Sequence, residues 1–422
     1  MEEKIITENG IELYTYKNEA SHGFFISLFL RAGSMYETSA EAGITHFFEH
    51  TAIRNVNKQM DGELYSLLDR AGLEFNASTF SEMVQFYISG AKENFSVGAE
   101  VITKLFSPII LSREEIDTER RRIKAEIREN DDKTSLGTFT NTILNEGTSL
   151  ANSILGSVGS VNKITADRLE KYRRRVFTRP NVFFYVSGNF SEDDLSYLSR
   201  LISEYSLPFC EENNANVAPV PTKFGKRECD VRIKGADFTM VRFTFDIDMS
   251  KSSVPETDLI YDMLFSGYSS PFFMEMSEQR GLFYDVSGGV ERYKNIGYLY
   301  FTYELREKDL EQTLLLTVKI LKDFKEKLQN EDRCMKASYV DNGGMLLDEV
   351  RDLNFTMAYD NHIMDLGYKS VEDRSEAYKK VTPERIREVA CQIFTPENLT
   401  VTVKGNKKRI SPDKIKNIMS AL

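Results

Sequence analysis

Residues 164–189, ITADRLEKYRRRVFTRPNVFFYVSGN, and residues 381–406, VTPERIREVACQIFTPENLTVTVKGN, align without a gap. They lie 217 positions apart, and eight of their 26 positions are identical. The matches include Thr165 and Thr382, Arg168 and Arg385, Phe177 and Phe394, Asn181 and Asn398, and Gly188 and Gly405. Each copy opens on a Thr with an acid two residues on, a pattern that predicts an N-capped helix. A turn with Pro and Asn follows, then a β-rich run ending at Gly-Asn. A repeat spaced by about half of the chain excludes a solenoid, whose units are shorter and more numerous.

A weaker pair extends the duplication. LEFNASTFSEMVQFYISG (73–90) resembles LFYDVSGGVERYKNIGYLYFTY (282–303), and both read as paired strands ahead of a helical pattern. Strand patterns near 11–16, 23–31 and 83–90 alternate with helical ones, and neighbouring strands joined by hairpins argue against a purely parallel sheet. The prediction is an α+β protein of two homologous domains, each a mixed, largely antiparallel sheet with helices on one face. The boundaries are placed at 1–208 and 227–422, with 209–226 as a linker rich in Pro, Asn and charge.

Hydrophobic residues make up 41% of the 422, enough for sizeable cores, and the net charge is −11. So acidic a chain is a poor partner for nucleic acid or an anionic membrane, both of which reward Lys and Arg clusters. It suits a basic peptide better. FFISLFL (24–30) is too short to span a bilayer, and MEEKIITENGIELYTYKNE has neither signal-peptide nor transit-peptide character. Cys210, Cys229, Cys334 and Cys391 are scattered and form no CxxC pair. The expectation is a cytoplasmic protein with reduced thiols.

Two of the four histidines, His46 and His50, fall in GITHFFEHTAIRN (43–55), within an amphipathic pattern that starts after Ser39 or Thr45. At i and i+4 on a helix, their imidazoles share a face, a spacing that suits two ligands of a tetrahedral zinc ion. Glu49 lies beside them but is rotated off the ligand line, placed to hold a water rather than the metal. His-x-x-Glu-His reverses the commoner His-Glu-x-x-His order and is the inverzincin arrangement. A third protein ligand is then required. IDTERRRIKAEIREN (116–130) offers Glu119 and Glu126, two helical turns apart on one face. Either could bind the metal while the other supports a ligand. The bland alternatives are a helix with solvated His and Glu, and a charged surface helix laced with i,i+4 pairs.

Taken together, these motifs resemble the pitrilysin/insulinase-like zinc peptidases, in particular the two-domain branch that includes the mitochondrial processing peptidase subunits and bacterial relatives. The resemblance covers essentially the whole chain. The family's second signature, Glu-x6-Glu, has its last acid about 76 residues after the second histidine; Glu126 is 76 after His50. The resemblance therefore implies one zinc ion held by His46, His50 and Glu126, with Glu119 as supporting acid and Glu49 as general base. NAST (76–79) resembles the edge strand that pairs with extended substrate, so Asn76, Ala77 and Ser78 are implied in peptide binding. ILGSVGSVNKIT (154–165) resembles the segment before the last helix of the first domain.

In the second domain the family carries an Arg, six residues, then a Tyr. Here Tyr284 fits, but Ser277 stands where the Arg belongs, and Arg280 is out of register. Tyr284 reads equally well as a core aromatic. The second domain has no His-x-x-Glu-His, and His362 is isolated and expected to be structural. The resemblance implies a zinc endopeptidase acting on peptides or unfolded segments inside a chamber formed with a homologous partner that supplies the Arg. Several bacterial relatives of this kind process ribosomally made peptides, so the resemblance implies such precursors as substrates. The alternatives are a homodimeric oligopeptidase and a non-catalytic, chamber-forming subunit.

Overall fold

The computed structural model describes residues 1–132, 136–208, 213–283, 286–327 and 336–422. Tyr284, Cys210, Cys334 and the start of the expected linker (209–212) lie outside the described residues. By contacts the described residues of 1–133, 152–216 and 344–373 form one compact unit, and those of 134–151, 217–343 and 374–422 a second.

The first unit is built on six strands: β1 (Glu2–Ile6), β2 (Glu12–Lys17), β3 (Gly23–Leu30), β4 (Glu74–Thr79), β5 (Val84–Ala91) and β6 (Val182–Gly188). Their order is β1-β2-β6-β3-β5-β4. Only β2 and β6 run parallel. The second unit has β7 (Asp230–Gly235), β8 (Thr239–Asp248), β9 (Ser287–Arg292), β10 (Ile296–Leu305) and β11 (Leu399–Gly405), ordered β7-β11-β8-β10-β9. Again one pair, β7 and β11, is parallel. Apart from β1 the two sheets repeat one another, as the duplicated sequence requires. The α+β expectation holds.

The best-matched repeat explains itself physically. Thr165 caps the Ala166–Val176 helix by accepting from Arg168 N, and Thr382 caps the Pro383–Ile393 helix by accepting from Arg385 N. Phe177 and Phe394 end those helices and are fully buried. The strands that follow, β6 and β11, occupy the same place in their sheets.

β6 and β11 are buried at every position. Val182, Phe184 and Val186 join the main core with the helices, while Phe183 and Tyr185 belong to a second cluster on the opposite face. That cluster includes Leu353, Met357 and Ala358 of the Val350–Ala358 helix. Besides the expected helical layer, each sheet therefore carries a helix on its other face among the described residues. In the second unit it is Leu136–Leu144, whose Thr140 hydroxyl bonds the Thr402 hydroxyl at 2.5 Å. Covered on both faces, β6 reads as a continuous apolar run, VFFYVSG, whereas β11, LTVTVKG, alternates, with Thr402 turned to the Leu136–Leu144 helix. No helix among the described residues is long and apolar enough to cross a membrane.

Asn354 anchors the Val350–Ala358 helix to the sheet. Its Oδ1 accepts from Ser27 Oγ at 2.6 Å, and its Nδ2 donates to Tyr185 O (3.0 Å) and Phe25 O (3.2 Å). Asn354 and Ser27 are completely buried. Replacing Asn354 with Leu keeps the branched shape but takes away the acceptor of the Ser27 hydroxyl and the donor to two backbone carbonyls. Denaturant unfolding should show a loss of about 1–3 kcal/mol, the usual effect of orphaning buried polar groups; a change below about 0.5 kcal/mol would contradict this anchoring role.

Candidate metal centre and active site

Two helices of the first unit build the site. The Ile44–Gln59 helix buries Ile44, Phe47, Phe48, Thr51, Ala52 and Val56 along one stripe. Spacings of three and four place these side chains on one face, which leaves His46, Glu49 and His50 on another. The Arg113–Asp132 helix buries Ile116, Ile123 and Ile127 in the same core. Its Glu119 and Glu126 share the face that meets the histidines.

The sequence suggested a start after Ser39 or Thr45, but the histidine helix begins at Ile44 behind Gly43, whose φ is +86°. A side chain at Gly43 would also collide with Leu155 O, 2.7 Å from the place of a Cβ. The cap is supplied from upstream. The buried Glu37 carboxylate accepts from the backbone N–H groups of Gly43 (2.7 Å) and Thr45 (2.8 Å). A carboxylate at a helix N-terminus satisfies orphan amides and complements the dipole. Thr45 Oγ1 is held by Tyr172 at 2.7 Å.

His46, His50 and Glu126 converge, with one donor atom of each within 4.8 Å of the others. His46 Nε2 is 3.7 Å from Glu126 Oε2, and His50 Nε2 is 3.6 Å from Glu126 Oε1. A tetrahedral zinc ion with bonds of about 2.1 Å would separate its ligand atoms by about 3.4 Å, so this donor set fits one with small adjustments. His46 Nδ1 is buried with no hydrogen-bond partner among the described residues. Glu119 Oε2 is 3.5 Å from His50 Nδ1, the side of the ring away from Glu126. Among the described residues this is the one cluster of His, Cys, Asp and Glu with metal-ligand spacing.

Burial and neighbouring charge set the electrostatics. Burial, helped by the nearby His50, pushes the His46 pKa down to about 3, so its imidazole is neutral with a lone pair to give. Burial would also lower His50, but the hydrogen bond to Glu119 and the charges of Glu49, Glu126 and Glu119 outweigh it and raise the pKa. For Glu119, burial is outweighed by the hydrogen bonds from His50 and Arg54, which hold it below the usual carboxylate range. Glu49 goes the other way, raised chiefly by burial. Its Oε2 is 3.9 Å from His46 Nε2 and accepts from Thr79 Oγ1 at 3.3 Å.

Thr79 closes β4, the outer strand of the first sheet, which pairs with β5 on its inner side. Asn76, Ala77 and Ser78 lie on that strand, and the backbone N–H of Ala77 donates to Asn76 Oδ1 at 2.8 Å. The sheet edge and Glu49 are thus in direct contact. Thr79, Glu37 and Arg54 were not singled out from sequence. Arg54 alone had a local signal, its i,i+4 spacing from His50. In the second unit, Ser277 falls in the π-helical turn Phe273–Glu278. Arg280 is engaged by Glu275, through the carboxylate at 2.8 Å and the backbone carbonyl at 2.5 Å. His362 stacks on Tyr14 with centroids 3.6 Å apart and packs near Phe183 and Tyr185, on the sheet face opposite the main core.

Comparison with known proteins gives the family. A sequence model described as insulinase, peptidase family M16, matches residues 14–158, and one described as the peptidase M16 inactive domain matches 163–333. The chain belongs to the M16 peptidase family. A relative among the curated M16-like proteins, the uncharacterized zinc protease YmxG of Bacillus subtilis, is 22% identical over 401 residues, covering 92% of this chain and 95% of that one. The beta subunit of human mitochondrial-processing peptidase is 26% identical over 209 residues, 49% of this chain and 42% of that one. Among solved structures, a protease from Helicobacter pylori superposes with a TM-score of 0.81 at 16% identity, over 96% of this chain and 99% of the other. That likeness speaks for the fold. The M16 inactive-domain match falls mainly on the second half of the chain, where no such cluster occurs among the described residues.

The cap gives a test of how the site is held. Glu37→Ala removes the acceptor for two helix N-terminal amides and should lower stability by about 1–2 kcal/mol. Thermal or denaturant unfolding of the metal-free protein would read it, and an unchanged midpoint would show that Glu37 does not cap this helix.

Proposed function

We propose that this M16 chain is a zinc-dependent endopeptidase that cuts extended peptides at the site formed by His46, His50, Glu126 and Glu49. The carrying observation is the convergence of three ligand-type donors with a buried carboxylate beside them that also touches the free edge of a sheet. His46, His50 and Glu126 would hold the metal, and Glu119 would support His50. Zinc, when bound, would supply Lewis acidity toward a peptide carbonyl and make water more acidic.

The remaining work belongs to the chain's own side chains. Glu49 takes a proton from the attacking water and returns it to the departing amine. The raised pKa that burial gives Glu49 makes it a stronger base than an exposed carboxylate. The peptide adds as a strand along β4, past Asn76, Ala77 and Ser78, with backbone hydrogen bonds supplying affinity whatever the sequence. A strand there runs toward Thr79, and so toward Glu49.

The reading includes a partner. Ser277 cannot offer a fixed cationic fork to a peptide carbonyl, and Arg280 is committed to Glu275. A homologous chain carrying the missing Arg would complete a closed chamber, within which unfolded segments, such as ribosomally made precursor peptides, are cut. Tyr284 would contribute from the second domain of this chain. A homodimer is the second reading. The location in this reading is the cytoplasm, in keeping with free thiols at Cys229 and Cys391.

Elemental analysis should find about one zinc per chain, absent from His46→Ala/His50→Ala and from Glu126→Ala. Equal zinc in the wild type and the double histidine variant would rule out the site. Glu49→Gln should keep zinc and fold while losing at least about 10²-fold in peptide cleavage; near-normal turnover would remove Glu49 from its role. The isolated chain should be a weak peptidase that a homologous Arg-bearing chain activates by roughly 10²–10³-fold. Full activity alone, unaltered by that chain, would favour the homodimer.

A further inference from the structure

The Glu119 carboxylate lies between the two helices of the site with only 2% of its side chain exposed. So buried a charge needs firm partners. Oε2 lies 3.5 Å from His50 Nδ1, and Oε1 accepts from Arg54 Nε at 2.5 Å. His50 and Arg54 are one turn apart on the same helix. One carboxylate of the second helix is therefore gripped by two groups of the first. Arg122 also reaches Glu119, at 3.1 Å, but it comes from the same helix as Glu119 and its side chain is 63% exposed. It cannot tie the carboxylate to the histidine helix.

We infer that Arg54 is a positioning residue of the metal centre: by holding Glu119, it fixes the His50 ring with Nε2 turned to His46 and Glu126. The inference rests on the zinc site proposed above. An imidazole whose Nδ1 is unheld turns about its Cβ–Cγ bond, whereas a carboxylate on Nδ1–H fixes both tautomer and ring plane and leaves the Nε2 lone pair for a metal. Among the described residues His46 has no hydrogen-bond partner at Nδ1, so no such hold fixes its ring. The directional control of the centre therefore runs through His50, Glu119 and Arg54. Arg suits the place because its guanidinium is planar and donates in a set direction, while Lys would bring charge without that geometry.

The test is zinc affinity, measured by competition with a chromophoric chelator, with melting of the metal-free proteins in parallel. Arg54→Met should bind zinc about 10–100-fold more weakly than the wild type, the scale for losing a supporting partner of a ligand. Arg54→Lys should recover part of the loss. Arg122→Met, which removes an exposed pair, should stay within about threefold. Arg54→Met binding within about threefold of wild type overturns the inference, as does an equal loss in Arg122→Met. If Arg54→Met does not fold, Arg54→Lys decides: weaker zinc binding at an unchanged melting temperature supports the role, and wild-type affinity overturns it. A wild type that binds no zinc sinks the proposed site and this inference with it, whereas zinc bound equally well by wild type and the Arg54 variants sinks the inference alone.

Discussion

The packing of the Ile44–Gln59 and Arg113–Asp132 helices into one core is the constraint from which the site follows. Phe47, Phe48 and Val56 on one helix and Ile116, Ile123 and Ile127 on the other are buried in the same cluster. Once those stripes are fixed, the helical repeat dictates what faces what. His46 and His50 lie four apart, and Glu119 and Glu126 seven apart, so each pair stays on a single face. The hydrophobic contacts thus supply the orientation, and the polar groups inherit it. Closely packed interiors transmit such constraints because they leave little room to slide.

The electrostatics follow from that enforced proximity. Glu49, Glu119 and Glu126 are brought within reach of two imidazoles in a largely buried place. Like charges so close are costly unless cations accompany them. Arg54 and Arg122 answer Glu119. His46 is kept neutral by burial, and His50 is surrounded by acids. Paired and shifted groups gathered in one place make this cluster a functional-site candidate.

Duplication produced two sheets of matching order and a cluster with metal-ligand spacing, among the described residues, in only one of the two units. The repeat is most legible where both copies need the same physics, in the Thr caps, the buried Phe and the strand buried on both faces. It fades in the helices that follow β3 and β8, since one carries His46 and His50 and the other Asp258 and Asp262. Asp258 accepts from Tyr378 at 2.6 Å and pairs with Arg292. The counterpart surface has become a hydrogen-bonded structural cluster.

Periodicity and local chemistry were enough to read the two-fold α+β plan, the strand pairs, the shared face of His46 and His50, and that of Glu119 and Glu126, because each depends on patterns along the chain. The choice between Glu119 and Glu126 depended on resemblance, since both lie on the same face of one helix; the distances then put Glu126 opposite the Nε2 atoms and Glu119 behind His50. The helix start was misread because its cap, Glu37, lies beyond a turn and bonds from outside the helix. No pattern in the chain shows that the Val350–Ala358 helix covers the back of the first sheet, that Thr79 reaches Glu49, or that Arg54 grips Glu119. These are contacts between elements far apart in sequence, and an amphipathic stripe says that a face must be buried without saying against what. Tertiary packing alone makes that choice, by the shape and volume of the surfaces that meet.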